Sequence, residues 1–286
     1  MNLKEALTTL PQYFLPHHVL SGMMSNLTHS ENRLLKSLFI NQIIRYYGVN
    51  MDEALTQDIS VFKSFNHFFT RELKPGLRPI SNELGVVASP ADGVVSQAGN
   101  ITDGKIFQAK GKSFAATELL GGSEERARPF NNGLFATIYL APKDYHRLHM
   151  PLTGTLTEMI HIPGRLFSVN SATTRSVPGL FARNERVVTV FDTDAGPMAL
   201  VLVGAIFVSS IETVWHGVVT PPTLASMQSW RYQENAPKLE IGQEMGRFNM
   251  GSTVIILFCK DKVQWDADFQ ADKVVRVGQK IGRIVG

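Results

Sequence analysis

From Gly85 onward the sequence is broken into short apolar runs, and this spacing constrains the fold more than any other feature. The runs Gly85 to Ala88, Leu134 to Leu140, Arg186 to Phe191, Met198 to Val203 and Val254 to Phe258 are rich in strand formers, with Gly, Pro and Asp turns between them. Val274 to Val285 continues with Gly-punctuated strand character. The pattern predicts a mainly antiparallel β domain. Ahead of it, Lys74-Pro75-Gly76-Leu77-Arg78-Pro79 marks a boundary, because two prolines and a glycine do not continue a helix. The expected class is α+β, with an N-terminal helical region over 1–74 followed by a β-rich domain over 75–286.

The N-terminal region has a different texture. After Ser30, an N-cap candidate, Leu34, Leu35, Leu38, Phe39, Ile43, Ile44 and Tyr47 recur at helical spacing, and Gly48 offers a C-cap. Before it, Leu3, Ala6, Leu7 and Leu10 predict a short helical turn stopped by Pro11. Tyr13, Phe14, Leu15, Val19, Leu20, Met23, Met24 and Leu27 then form an unusually apolar stretch. Such faces either lie in a membrane interface or pack on the body of the protein or on a second subunit. Lys4, Arg33, Lys36 and Arg45 against Glu5 and Glu31 leave the region mildly basic. Phe62, Phe65, Phe68 and Phe69 again read as helical, an aromatic face packed against the following domain.

Composition removes several function classes. With 286 residues, 44% of them hydrophobic, the chain buries a full core, and a net charge of +3 is too small to argue for nucleic acid. The lone Cys259 forms no intramolecular disulfide and reads as a small core residue, and no zinc cysteine pattern is present. An acid in Met1-Asn2-Leu3-Lys4-Glu5, with Pro11 and Pro16 after it, argues against an export signal. The most apolar window, Met198 to Val208, is shorter than the roughly 20 residues a spanning helix needs, and its valines and Gly204 fit a buried strand. Bilayer contact is therefore expected to be peripheral.

The chemistry concentrates at Gly251-Ser252-Thr253, just before Val254 to Cys259. A serine hydroxyl is a poor nucleophile until an imidazole held by a carboxylate takes its proton. The nearest carbonyl is that of Gly251, unshielded by a side chain and tolerant of strain. Attack there gives an N-to-O acyl shift. β-Elimination of the ester then leaves dehydroalanine, which hydrolyses to a pyruvoyl group. Taken alone, the tripeptide is more commonly a turn into a strand, and Pro90-Ala91-Asp92-Gly93 is a tight turn whose aspartate caps its own backbone. His146 and His149, three apart, invite a metal reading, which ranks low because no recognised spacing places His161 or Asp144 as further ligands.

Several segments together carry a resemblance. Gly242-Gln243-Glu244-Met245-Gly246-Arg247-Phe248 with Gly251-Ser252-Thr253-Val254 closely resembles the processing region of phosphatidylserine decarboxylases. Pro90 to Gly93, Asp144 to Pro151, Leu166 to Asn170, Phe181 to Arg186 and Ile211 to Trp215 are similar as well, in the family's order, from about Phe65 to near the C-terminus.

The resemblance implies self-cleavage between Gly251 and Ser252, giving a β chain of 1–251 and an α chain of 252–286. Asp92 is expected to accept a hydrogen bond from one ring nitrogen of His149, turning the other toward Ser252. Ser252 becomes a pyruvoyl group that forms a Schiff base with phosphatidylserine and yields phosphatidylethanolamine and carbon dioxide. It replaces pyridoxal phosphate, and no metal is involved. His146 is left near the substrate, to contact the phosphate or supply a proton, and Ser168 is a second substrate-side candidate. Arg183 and Arg186 are candidates to neutralise the phosphodiester, against the plainer reading of structural arginines. The implied setting is the cytoplasmic face of the cell membrane, bound peripherally, with room for a homodimer of such two-chain units and no nucleic acid. Two alternatives stay open: a hydrolase with a durable Ser252, His149 and Asp92 triad, which lacks a G-x-S-x-G elbow, and a non-enzymatic β module on lipid surfaces.

Overall fold

The computed structural model describes residues 9–206, 210–220, 226–249 and 252–285, with nothing described of the Ser252 side chain. Pro11 stands in the first turn of a 3-10 segment, Leu10–Tyr13, where its missing N–H is harmless; the expected turn before it lies mostly outside the described residues. Helix α1 (His17–Thr28) follows Pro16. Helix α2 (Arg33–Tyr47) ends as its sequence predicts, with Gly48 left-handed at φ 67° and its N–H on the Ile44 carbonyl. Its start differs from expectation. Asn32, not Ser30, is the N-cap, accepting from the Leu34 and Leu35 amides at 3.1 Å, while the Ser30 hydroxyl accepts from the Asn32 amide. Ser64 caps the short helix α3 (Phe65–Phe69) through the His67 amide. Phe62 lies outside that helix, yet is buried with Ile40, Phe65, Phe68 and Phe69 in one cluster that ties α2 to α3.

Strands follow in chain order. The first seven are β1 (Val86–Ala88), β2 (Gly93–Asn100), β3 (Lys105–Ala109), β4 (Lys112–Ala115), β5 (Leu134–Leu140), β6 (Arg147–His149) and β7 (Gly154–Ile162). Next come β8 (Arg186–Thr193), β9 (Gly196–Val203), β10 (Ser210–Thr213), β11 (Gly217–Val218), β12 (Gln228–Arg231) and β13 (Lys238–Leu239). The last are β14 (Glu244–Asn249), β15 (Ser252–Phe258), β16 (Val263–Trp265), β17 (Val274–Val275) and β18 (Lys280–Ile284). The principal sheet runs β12-β7-β8-β9-β15-β5-β2-β17, with β13 also on β7, and its pairings are antiparallel. Smaller sheets have the orders β11-β10-β14-β6 and β1-β18-β16.

β15 lies in the middle of the principal sheet, between β9 and β5. Val254, Ile256 and Phe258 pack into the core shared with the small sheets, and Ile255 and Leu257 into the core shared with the β3-β4 hairpin. All five side chains are fully buried, so a strand buried on both faces explains an apolar run without alternation. Each contributes about 1.5–3 kcal/mol by leaving water. β9 ends at Val203, so Gly204 lies just past the strand expected through it, and residues 207 and 208 fall outside the described set. Cys259 is half-buried, and its thiol donates to the Pro197 carbonyl at 3.3 Å.

Candidate active site

Register brings the backbone of Ser252 and the turn carrying Asp92 to one end of the principal sheet, and His149, on β6, joins that turn through its backbone. The backbone of Ser252 opens β15 opposite Leu140 at the end of β5. On the other side of β5, β2 starts at Gly93 and pairs Val94 with Tyr139. Gly93 is required there: a Cβ would stand 2.3 Å from the Tyr139 carbonyl oxygen. The turn before it holds Asp92, and the Pro90 carbonyl accepts the His149 amide at 2.9 Å. Gly251 lies outside the described residues.

The imidazole of His149 has two partners. Nδ1 lies 2.7 Å from the Gly242 carbonyl, and Nε2 lies 3.1 Å from the Tyr145 hydroxyl. A carbonyl only accepts, so Nδ1 carries the proton and Nε2 presents a lone pair to the phenol. Burial lowers the His149 pKa, outweighing the opposite pull of the Gly242 carbonyl, Glu244 and Asp92, so the ring is neutral at pH 7. Gly242 itself has φ +77°, and a side chain there would collide with Ile80.

This arrangement corrects one expectation. Asp92 makes no hydrogen bond to His149, because its carboxylate is already filled. Arg78 Nε donates to both oxygens at 2.9 and 3.1 Å, and the Val277 amide donates at 2.8 Å. Nor does Asp92 cap its own turn. A guanidinium fork on a carboxylate is a stronger, two-point contact than an imidazole offers. Arg78 also donates to Glu53 at 2.6 Å, and Glu53 lies 3.2 Å from Arg276. Burial opposes charge on Arg78, but its bonds to Asp92 and Glu53 prevail and raise its pKa. The tautomer of His149 is therefore set by the Gly242 carbonyl.

Beyond the geometry, known proteins place the chain. Residues 65–283 match the phosphatidylserine decarboxylase family model, and residues 7–48 match one described as PSD. The chain is 54% identical over 286 residues to the phosphatidylserine decarboxylase proenzyme of Pseudomonas putida (strain GB-1), covering 99% of each chain. Against the proenzyme of Ectopseudomonas mendocina (strain ymp) it is 53% identical over 283 residues, 98% of this chain and 99% of the other. Against that of Stutzerimonas stutzeri (strain A1501) it is 51% identical over 284 residues, 98% of this chain and 95% of the other. The chain belongs to the phosphatidylserine decarboxylase family. The order of segments read from the sequence is thus a true family likeness.

Within this family member, His146 is wholly buried, stacked on Phe69 with ring centroids 4.0 Å apart. Its Nε2 donates to the Ala141 carbonyl at 3.0 Å, Nδ1 is unpartnered, and burial lowers its pKa to about 3. In this position it is neither exposed to a phosphate nor protonated near neutral pH. Ser168 is half-buried: its amide donates to the Gln12 side chain at 2.9 Å and its hydroxyl accepts from Asn170 at 2.9 Å. The loop carrying it is gripped by the N-terminal segment, since His18 donates to the Gly164 carbonyl and Arg165 to the Tyr13 carbonyl.

Arg186 is buried on the carbonyls of Glu118, Leu119 and Asn184, and Arg183 lies over the rings of Tyr13 and Phe167. Arg186 is thus committed to backbone carbonyls, whereas Arg183 is exposed. Sequence reasoning missed Tyr145, Gly242 and Arg78. The first two lie inside segments already singled out, but no spacing rule marks a backbone carbonyl as an imidazole's partner. Arg78 stood in the boundary motif, where it read as linker.

Proposed function

We propose that the chain is a self-processing decarboxylase that converts phosphatidylserine to phosphatidylethanolamine and carbon dioxide on a pyruvoyl group made from Ser252. The observation that carries this reading is the His149 imidazole. It is neutral, its Nδ1 proton is committed to a carbonyl, and its Nε2 is an acceptor beside the turn that carries Asp92. The names of the relatives, decarboxylase proenzymes, support both the reaction and a processed precursor.

In processing, His149 Nε2 takes the Ser252 hydroxyl proton, the Tyr145 phenol giving up that lone pair as the serine engages. The Ser252 oxygen adds to the Gly251 carbonyl carbon, the C–N bond breaks, and the imidazolium returns its proton to the departing nitrogen. Asp92 acts through its charge, which favours the protonated imidazole. Loss of the Ser252 α-proton and of the Gly251 carboxylate leaves dehydroalanine. Water then releases ammonia and leaves the ketone, with Gly251 the last residue of the larger chain.

The residues present fit such a group. The Tyr145 hydroxyl, which burial keeps protonated and which lies 3.1 Å from His149, is a neutral donor suited to a keto oxygen. The pyruvoyl ketone supplies an electron sink for the pair released with carbon dioxide. The surrounding side chains exclude water, since Leu140, Leu148 and Met150 are fully buried.

The helical region, 1–74, is assigned to membrane contact and 75–286 to catalysis. Phe14, Val19, Met23, Leu34, Leu38 and Tyr46 are all exposed on the N-terminal segments. No helix among the described residues is long and apolar enough to cross a membrane. We assign the chain a peripheral seat on the cytoplasmic face of the cell membrane, a reading that the exposed apolar face and a lipid substrate support. The test is a denaturing gel of Ser252→Ala, His149→Ala and Asp92→Asn. Each is expected as one full-length band beside a two-band wild type; normal processing in a variant removes that residue from the scheme, and an uncut wild type favours the hydrolase or binding-module alternatives.

A further inference from the structure

A cavity of about 290 Å³ lies between the helical region and the sheet end, lined by Arg71, Lys143, Tyr139, Ala141, Tyr145 and Asp92 among others. Its carboxylates are already engaged. Asp92 and Glu53 are held by Arg78, and Asp144 accepts the Ala141 amide at 2.7 Å. Arg71 is different. It is only 4% exposed, yet among the described residues its Nη2 makes one hydrogen bond, to the Lys143 carbonyl at 3.0 Å, while Nε and Nη1 have no partner. Its other neighbour is the Phe68 ring, 5.4 Å from the guanidinium carbon. Among the described residues no carboxylate lies within ion-pair distance of it. A buried guanidinium with two idle donors is costly unless an anion completes it. Burial indeed lowers its pKa, against the longer-range pull of Asp144, Asp92 and Glu53.

We propose that this cavity is an anion subsite in which Arg71, with Lys143 at the rim, holds the phosphodiester of the lipid headgroup. The inference rests on the decarboxylase reading for its ligand. Position supports it: Tyr139 and Ala141 flank Leu140, whose partner across the sheet is Ser252, about 4.8 Å away by strand spacing. Tyr145, on the cavity wall, touches His149. In phosphatidylserine the phosphorus lies only a few bonds from the amine, so a phosphodiester seated here brings the amine to the start of β15. The headgroup carboxylate is the poorer occupant, because an ion pair there stabilises the ground state of the group that must leave as carbon dioxide.

The test is titration of the uncleaved Ser252→Ala protein with glycerophosphoethanolamine and, separately, with inorganic phosphate. Because this form needs no cleavage, its result is independent of whether the wild type processes itself, which a gel reports separately. Binding of glycerophosphoethanolamine is expected, tighter than phosphate, and about tenfold to a hundredfold weaker when Arg71→Gln is added. In the mature enzyme the same substitution is expected to raise KM for dihexanoyl phosphatidylserine more than it lowers kcat. Unchanged affinity in folded Arg71→Gln protein overturns the proposal, and tighter binding of phosphate overturns the headgroup assignment. Should Arg71→Gln not fold, the exposed Lys143→Gln decides: about threefold weakening supports the subsite, and unchanged affinity overturns it.

Discussion

β15 and the N-terminal helices are both rich in apolar residues, and they use them in opposite ways. Val254 to Phe258 are fully buried on both faces of a central strand, whereas Phe14 is 88% and Leu34 85% exposed. The first arrangement fixes the backbone at Ser252 by pairing it to Leu140, with both flanking strands held in register. The second leaves a face that the chain's own core does not cover. The same residue types are thus scaffold in one region and an uncovered face in the other, and substitutions in the two should fail in different ways.

The largest expected effect lies in the sheet. Ile255→Ala removes a fully buried side chain and is expected to cost about 2–5 kcal/mol in urea unfolding of the Ser252→Ala chain. A loss under about 1 kcal/mol would erase the contrast between the regions.

Acid should act next, through histidines whose pKa burial lowers, among them His17 in the helical region and His146 and His149 in the β domain. Burial lowers the pKa of His146 to about 3 and also lowers that of His149, so the unfolded chain binds more protons than the folded one. Stability is therefore whole above pH 6.5 and falls as pH drops toward the folded values, by about 1.4 kcal/mol per pH unit for each such proton. His146→Leu is expected to flatten that slope by close to one proton. An unchanged slope between pH 6 and about 4.5 would show that His146 is not held neutral by the fold.

The smallest effect on the fold is expected at the helices. Phe14→Ser with Leu34→Ser should change unfolding free energy by no more than about 0.5 kcal/mol per site. The same pair should weaken binding to phosphatidylglycerol-containing vesicles about tenfold or more, since each side chain is worth about 1.5–3 kcal/mol when buried. Stability loss without loss of vesicle binding would make this face a packing surface instead.

What was legible in the sequence follows from how local each signal is. β5, β8, β9 and β15 were readable because strand formers cluster between turn residues, and Gly48 marked the end of α2 because a left-handed cap favours glycine. The start of α2 slipped by two residues because Ser30 and Asn32 are both capping types, and the Ser30 hydroxyl is itself turned back onto Asn32. The wiring around Asp92 and His149 was not legible. Asp92 and His149 do approach one another, through the Pro90 carbonyl, but the hydrogen bond expected between them is replaced by Arg78 on one side and Gly242 on the other. Those partners depend on how loops fold against the sheet, and neither a carbonyl nor a linker arginine carries a pattern. Arg71 was silent for the same reason, an arginine after an aromatic cluster that only the fold shows to be buried.

The central claim is that this sheet end lets a serine cut its own backbone and become a ketone. Intact mass spectrometry of freshly purified wild type tests it most directly. The account predicts two chains in place of one of 31.7 kDa, a larger one ending at Gly251 and a smaller one running from a blocked residue 252 to Gly286. A single uncut chain that still decarboxylates phosphatidylserine would contradict it.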